Sequence, residues 1–180
     1  MLKLVVGLLA FGFGLESARA EQLFVRVTTQ QGVVAAWYNP VAELDETSLV
    51  EFGEVESLKW SVTSPRDAAS GLPTGRRQHR PVDIRVRLSS GVLDNLTVLR
   101  NNASVEVELL WFSRGQDGSY TRQRLMTLTQ ATVSSVSLQT VREDGQLRTF
   151  ADLSFVYRVV GITDYVSEVS YQDSWESPSR

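Results

Sequence analysis

Short segments in which apolar and polar residues alternate recur along this chain, and this period of two constrains its fold most strongly. The clearest example is Val82–Leu88, where every second residue is apolar and the residues between them are charged. Such alternation predicts a strand with one buried face and one solvated face. Similar patterns predict strands at Leu23–Thr28, Gly32–Tyr38, Val105–Trp111, Arg122–Leu138 and Asp152–Val160. The chain is therefore predicted to be mainly β.

Other sequence signals place the breaks between these strands. Phe52–Thr63 alternates imperfectly, as a strand with a bulge near Gly53 does. Gly115–Gly118 and Asp144–Gly145 have the composition of hairpin turns. One segment, Ser90–Asn102, has a helical period instead, with an apolar stripe and polar residues that can cap each end. The stripe consists of Val92, Leu93, Leu96 and Leu99, with Ser89 or Ser90 before it and Asn101–Asn102 after it. One helix among about seven strands predicts a small β-barrel or sandwich with a plugging or flanking helix.

The predicted strand at Val82 follows a segment that we call the basic loop, Ser70–Pro81. Gly and Pro residues interrupt this segment repeatedly, which predicts an exposed turn-forming loop. It carries cationic and imidazole side chains that continue on the polar face of the strand: Arg76, Arg77, His79, Arg80, Arg85 and Arg87. A flexible loop is thus predicted to lead into a strand with one cationic face.

The N-terminus has the pattern of a secretory signal peptide. Lys3 precedes an apolar run at residues 4–15, and Ala18 and Ala20 occupy the two positions that a signal peptidase reads. The apolar run is shorter than the roughly 20 residues that span a bilayer. We therefore predict a signal peptide at residues 1–20 and one domain at residues 21–180, the alternative being an uncleaved N-terminal extension. Cleavage would change the net charge from −3 to −4.

Composition excludes several kinds of site. The chain has no cysteine, which removes disulfides and thiolate metal ligands, and its single histidine argues against a zinc site of the ordinary His-rich type. The acidic net charge argues against nucleic-acid binding and against binding of the mature chain to anionic membranes. A triad of Ser61 or Ser64 with His79 and Asp83 is conceivable, but no nucleophile motif supports it. We expect no enzyme activity, no catalytic residue, no cofactor and no metal.

The motifs of the chain, taken together, resemble those of the haemolysin-coregulated protein (Hcp) family, whose members form the inner tube of bacterial type VI secretion systems. Gly75, Arg77, His79 and Pro81 have the family's Gly-x-Arg-x-His-x-Pro spacing before a strand. The resemblance continues in order through about residues 22–178. It includes the helix at Ser90–Asn102, the strands at Val105–Arg114, Leu125–Leu138 and Leu153–Arg158, and the closing Asp173–Pro178 with its Asp-x-Trp-x-x-Pro pattern.

This resemblance implies a β-barrel with one short flanking helix that assembles into homo-hexameric rings. Stacked rings would form a tube that carries effectors, is fired by a contractile sheath and is tipped by a spike of the VgrG type. Such a role needs no catalytic residue.

In a closed ring, one patch of each subunit contacts a different patch of the neighbouring subunit. An acidic stretch at residues 43–56 could meet the basic residues in this way, or both could be solvated or paired within one subunit. The predicted interface consists of Glu51, Glu54, Glu56, Arg76, Arg77, His79, Arg80, Arg85 and Arg87, and Glu43, Asp45 and Glu46 extend its acidic part.

Two features depart from the family pattern. The start of the helix, Leu88–Gly91, lacks the acidic-lysine start and proline common in the family. The signal-like segment implies transit through the periplasm, whereas a tube subunit is assembled in the cytoplasm before it becomes extracellular. The alternative to a tube subunit is therefore an exported Hcp-like interaction module or secreted effector. A downstream start would need a codon other than AUG, since the next methionine is Met126.

Overall fold

A computed structural model describes residues 21–34, 51–115 and 120–174 of the chain, and the segment predicted as a signal peptide lies outside them. The described residues form one helix and mostly antiparallel β-structure. The elements in chain order are β1 (Glu21–Thr29), β2 (Gly32–Val33), β3 (Gly53–Lys59), β4 (Val62–Thr63), β5 (Gln78–His79), β6 (Val82–Arg87), α1 (Ser90–Asn101), β7 (Val105–Arg114), β8 (Tyr120–Glu143), β9 (Gln146–Val156), β10 (Val159–Asp164) and β11 (Val169–Ser174).

The main strands pair in a closed circuit. β7 pairs with β1, β1 with β3, β3 with β6, β6 with β9, β9 with β8, and β8 again with β7. β8 closes the circuit because its first half pairs with β7, whereas its second half, Thr132–Glu143, pairs with β9. β10 and β11 form a hairpin that extends the sheet from β8. The predicted mainly-β fold, a small barrel with one helix, is confirmed.

The interior of the circuit is filled by the apolar residues of the alternating pattern. Val82, Ile84 and Val86 of β6 are buried, while the charged residues between them are only partly buried. They pack with residues of other strands, among them Val25, Leu109, Leu128 and Phe155. This burial of apolar surface is the main driving force for folding, and the period of two is what directs it inward.

A second, smaller apolar cluster lies on the other face of β1 and β7. Phe24, Phe52, Leu110 and Phe112 are buried there, and the rings of Phe24 and Phe112 meet edge to face at 5.8 Å. The alternation in β7 therefore does not divide buried from exposed residues as predicted, since Leu110 is buried on the face opposite Leu109. Both faces of β7 are partly covered.

The helix lies where the sequence places it, but a different face is buried. Gly91, Val92, Asn95 and Val98 are buried, whereas Leu93 of the predicted stripe is 55% exposed. The buried face accommodates Asn95 because its amide donates to the Gly91 carbonyl oxygen at 2.7 Å within the helix. The C-cap prediction is confirmed, since Asn102 adopts the left-handed conformation, whereas the side chain of the N-cap residue Ser89 makes no capping hydrogen bond.

Two strand predictions need correction. The bulge in β3 lies between Val55 and Ser57 and leaves Glu56 as the extra residue, rather than lying near Gly53. The strand predicted at Asp152–Val160 is interrupted at residues 157–158, because the partner strand β8 bends at Gln130, which has a φ of +51°. The hydrophobic alternation runs through this break and therefore does not reveal it.

The turns agree with the sequence where they are described. Asp144 and Gly145 have φ values of +48° and +79° and join β8 to β9 in a two-residue hairpin. The flanks of the other predicted hairpin pair as Arg114 with Tyr120, while residues 116–119 lie outside the described part. Only Gly32–Val33 of the predicted strand at 32–38 is a described strand, and it pairs with β1. Among the described residues, no helix has the length and apolar character needed to cross a bilayer.

Candidate functional site

The basic loop is a well-defined protrusion that begins before Ser70. The Asp67 carboxylate accepts hydrogen bonds from the Ser70 amide and hydroxyl and from the Ala69 amide, and these bonds lower the pKa of Asp67. Arg66 donates to the carbonyl oxygen of Gly71 at 3.0 Å. At the tip, Leu72 is 65% exposed. The loop is exposed as predicted, and its own hydrogen bonds hold its turn.

The base of the loop is buried through His79. β5 pairs with β4, and the Arg80 amide donates to the Ser61 carbonyl oxygen, which holds the backbone on both sides of the histidine. The His79 side chain is 1% exposed, and its ring meets the Tyr157 ring edge to face at 5.9 Å. The structure therefore places His79 inside the subunit, in contrast to the exposed cations of the loop.

The Tyr157 hydroxyl lies between Trp60 and His79, and the donor at Trp60 favours one tautomer of the histidine. Trp60 Nε1 donates to the Tyr157 hydroxyl at 2.6 Å, so that hydroxyl can donate its own hydrogen to His79 Nδ1 at 3.2 Å. His79 Nε2 then carries the ring hydrogen and faces Asp173 Oδ2 at 3.3 Å. Burial is the main cause that raises the pKa of Tyr157, and the Asp173 charge adds to it. Each nitrogen of the His79 ring therefore has an oxygen of the fold beside it, the Tyr157 hydroxyl at Nδ1 and the Asp173 carboxylate at Nε2.

Asp173 on β11 is the centre to which these contacts lead. Its buried carboxylate accepts from Arg77 Nη2 at 2.8 Å, from the Tyr171 hydroxyl at 2.9 Å and from the Ser174 amide at 2.9 Å. Burial, and then the hydrogen bond to Asp173, raise the pKa of Tyr171. A buried carboxylate needs such partners to offset its desolvation. We call this group of six residues the Asp173 cluster: Trp60, Arg77, His79, Tyr157, Tyr171 and Asp173.

The conceivable triad is not formed. The carboxylate that faces His79 belongs to Asp173, whereas Asp83 accepts a hydrogen bond from Ser154 at 2.5 Å. The described residues also contain no group of three or more side chains suited to hold a metal ion.

Three of the five arginines of the predicted interface have acidic partners within the chain. Arg85 binds both carboxylate oxygens of Asp152, at 2.7 and 3.0 Å, which lowers the pKa of Asp152 and raises that of Arg85. Arg87 lies 3.9 Å from Glu56, and Arg77 pairs with Asp173. At these three positions the basic residues therefore pair with acidic residues of the same subunit, which is one of the two alternatives that the sequence allows.

The remaining two arginines are directed to solvent. Arg76 and Arg80 are exposed and form no ion pair with any residue in the described part of the chain. Both flank residues of the Asp173 cluster, since Arg76 precedes Arg77 and Arg80 follows His79. The Arg80 backbone is held by its hydrogen bond to Ser61, and both guanidinium groups lack an acidic partner among the described residues.

The acidic residues of the predicted interface lie on β3 and just before it. Glu51 pairs with Arg26 at 3.0 Å and is more than half exposed. Glu54 is half-buried, and its burial, together with the nearby charge of Glu56, raises its pKa. Glu43, Asp45 and Glu46 lie outside the described residues. Within the described residues, Glu51, Glu54 and Glu56 form no ion pair with the exposed Arg76 and Arg80 of the same subunit.

A cavity of about 290 Å³ adjoins Glu51. Phe52, Leu110, Leu125 and Tyr165 contribute apolar surface, and charged residues complete its lining. Arg26 stacks over the Phe52 ring at 4.8 Å while it binds both Glu51 and Glu108. The cavity is thus an amphipathic recess beside the acidic part of the predicted interface.

Few sequence signals predict the Asp173 cluster. Arg77 and His79 belong to one motif of the resemblance and Asp173 to another, but the contact joins positions 96 residues apart. Tyr157 lies in a strand that belongs to the resemblance, but no pattern in the sequence marks it, Trp60 or Tyr171 as polar partners. A period-two pattern shows which face of a strand is buried, but it does not show which polar groups meet across the fold.

Comparison with known proteins identifies a family and a relative that match this chain. The model of the family described as type VI secretion system effector, Hcp, matches residues 51–163, which is more than half of the chain. The major exported protein of Pseudomonas aeruginosa is 28% identical over 129 residues, covering 69% of this chain and 75% of that protein.

Solved structures have the same fold. A crystal structure of an Hcp protein matches with a TM-score of 0.75 and 22% identity, over 87% of this chain and all of that one. Secreted protein Hcp3 from Pseudomonas aeruginosa matches with a TM-score of 0.68 and 20% identity, over 88% of this chain and all of that one. The resemblance seen in the sequence is confirmed, and the chain belongs to the Hcp family of type VI secretion proteins.

Proposed function

We propose that this protein is a structural subunit of a type VI secretion tube, which forms homo-hexameric rings that stack and carry effectors. The observation that supports this most strongly is the Hcp fold, matched over 87% of the chain, together with the family match over residues 51–163. Its partners in this role are copies of itself, the contractile sheath, the spike and the carried effectors. The role needs no catalysis, cofactor or nucleic acid.

The surface of the subunit is suited to head-to-tail assembly. A ring needs two different, complementary patches on each copy. Arg76 and Arg80 extend from the basic loop without an acidic partner in the described residues, and Glu51 and Glu54 lie on and beside β3. We propose that these residues contact one another between copies. Arg77, Arg85, Arg87 and Glu56 are engaged within the subunit and border this interface, and His79 supports it from inside.

A second function is favoured by the N-terminal sequence. Glu21, the residue that follows the predicted cleavage position, is the first residue that the structure describes, and it pairs with Ser113 of β7. Removal of residues 1–20 would leave this pairing in place. If the signal is used, the mature protein is an exported Hcp-like interaction module or effector without a place in the tube.

One experiment separates the two functions. The protein is assayed in the culture medium of its own bacterium, with and without the sheath gene, and the N-terminus of the released protein is sequenced. Release that requires the sheath supports the tube subunit. Release that persists without the sheath, of a chain that starts at Glu21, overturns the tube role and supports the exported module.

A further inference from the structure

Among the described residues, the last strand is β11, and it pairs with β10 alone. Its pairing runs along β10, from Val159 with Ser174 to Asp164 with Val169. Residues 169–172 are exposed, and Asp173 is the buried residue of this strand. The exposed residues include Val169 and Tyr171, at 61% and 41%. Most of the burial that holds β11 in place is therefore concentrated at one carboxylate.

The basic loop depends on the same carboxylate. Within residues 64–76 the hydrogen bonds are internal, such as the Thr74 amide with the Pro65 carbonyl oxygen. The backbone of the loop base is held by β4 and by Ser61, and the side chains of Arg77 and His79 reach Asp173 and Tyr157 from it. Both the loop base and the C-terminal end of β11 thus share the Asp173 cluster.

We propose that the Asp173 cluster is a conformational latch, in which docking of β11 and ordering of the basic loop are energetically coupled. When β11 is docked, Asp173 supplies the buried anion that Arg77 and His79 need. When Asp173 is withdrawn, Arg77 loses its ion pair and the buried His79 loses the carboxylate beside it, and removing a partner from a buried polar group is unfavourable. The loop base then opens more often.

The coupling must act in both directions. Since it is a free energy shared by two elements, opening of the loop base weakens docking of β11 by the same factor as undocking of β11 weakens closure of the loop base. The physical consequence is that docking of β11 helps to set the position of the exposed loop groups Leu72, Arg76 and Arg80 relative to the barrel, while the loop's own hydrogen bonds hold its turn. The C-terminal end of the fold thereby controls presentation of a surface that lies about 96 residues earlier in the chain.

Hydrogen–deuterium exchange of the full chain tests this latch. Asp173→Asn changes the β11 side and Arg77→Gln changes the loop side, and the second variant is milder because Arg77 is 41% exposed. We expect Asp173→Asn to speed exchange at residues 61–80, where the Arg80 amide reports on the loop base. We expect Arg77→Gln to speed exchange in β10 and β11, each by about tenfold, within the range typical of coupled sites.

Two variants serve as matched controls. Asp67→Asn disturbs the loop tip without touching the cluster, and Asp152→Asn removes an exposed carboxylate that also pairs with an arginine. Neither should change exchange in β10 and β11. The proposal is overturned if Arg77→Gln speeds exchange in the loop alone, or if Asp67→Asn affects β11 as strongly as Arg77→Gln does.

Discussion

Replacing Tyr157 by phenylalanine tests the buried hydrogen-bond chain most simply, because it removes one oxygen atom and leaves the ring. That oxygen accepts from Trp60 and donates to His79, so two groups lose a partner. The His79 ring is buried, and an unsatisfied buried group costs about 1–3 kcal/mol. Trp60 is partly exposed and can turn to water, so its loss is the smaller one. We expect the free energy of unfolding to fall by about 2–3 kcal/mol.

The matched control is Tyr171→Phe, which also removes one hydroxyl from the Asp173 cluster. Tyr171 is 41% exposed, and Asp173 keeps its contacts with Arg77 and the Ser174 amide after the change. The loss should therefore be about 1 kcal/mol or less, as for a single net hydrogen bond. Urea unfolding at one fixed protein concentration measures both variants. A smaller loss for Tyr157→Phe than for Tyr171→Phe would refute the reasoning.

Three further changes have defined outcomes. Hydrogen bonds from the Ser167 amide and from Arg124 lower the pKa of Asp164 to about 2. The ionised Asp164 carboxylate therefore stabilises the fold above its unfolded-state pKa, and this stabilisation is lost as the pH falls from about 4 to about 2. Asp164→Asn should remove this part of the acid dependence of the unfolding midpoint. Gly161→Ala places a methyl group 2.7 Å from Thr127 Oγ1 and should cost about 1–3 kcal/mol in urea unfolding, less in a Thr127→Ala background. Gly145→Ala strains a residue with φ +79° and should cost about 1–2 kcal/mol, whereas an equal stability would contradict the turn.

Much of the fold could be predicted because local patterns carry it. The alternation in Val82–Leu88 follows from a strand with one buried face, and Asp144–Gly145 is a turn because both residues accept a positive φ. The helix bounds were found for the same reason, since Asn102 can take a left-handed C-cap. The interruption after Val156 could not be found, because it arises from the bend of β8 at Gln130, a partner distant in sequence.

The candidate site was predictable only in part. The exposed cations Arg76 and Arg80 follow from a polar loop, but the pairing of Arg85 with Asp152 depends on the register between β6 and β9. His79 was predicted among surface residues, yet it is buried because Asp173 and Tyr157 lie beside it. Whether a charged side chain is exposed to solvent or paired within the subunit therefore depends on the tertiary fold.

The central claim is that this chain assembles as a tube subunit does. Negative-stain electron microscopy of the purified protein, with sedimentation velocity on the same sample, tests it most directly. The account predicts rings with six-fold symmetry, alone or in stacks. A monodisperse monomer across the whole accessible concentration range would contradict it.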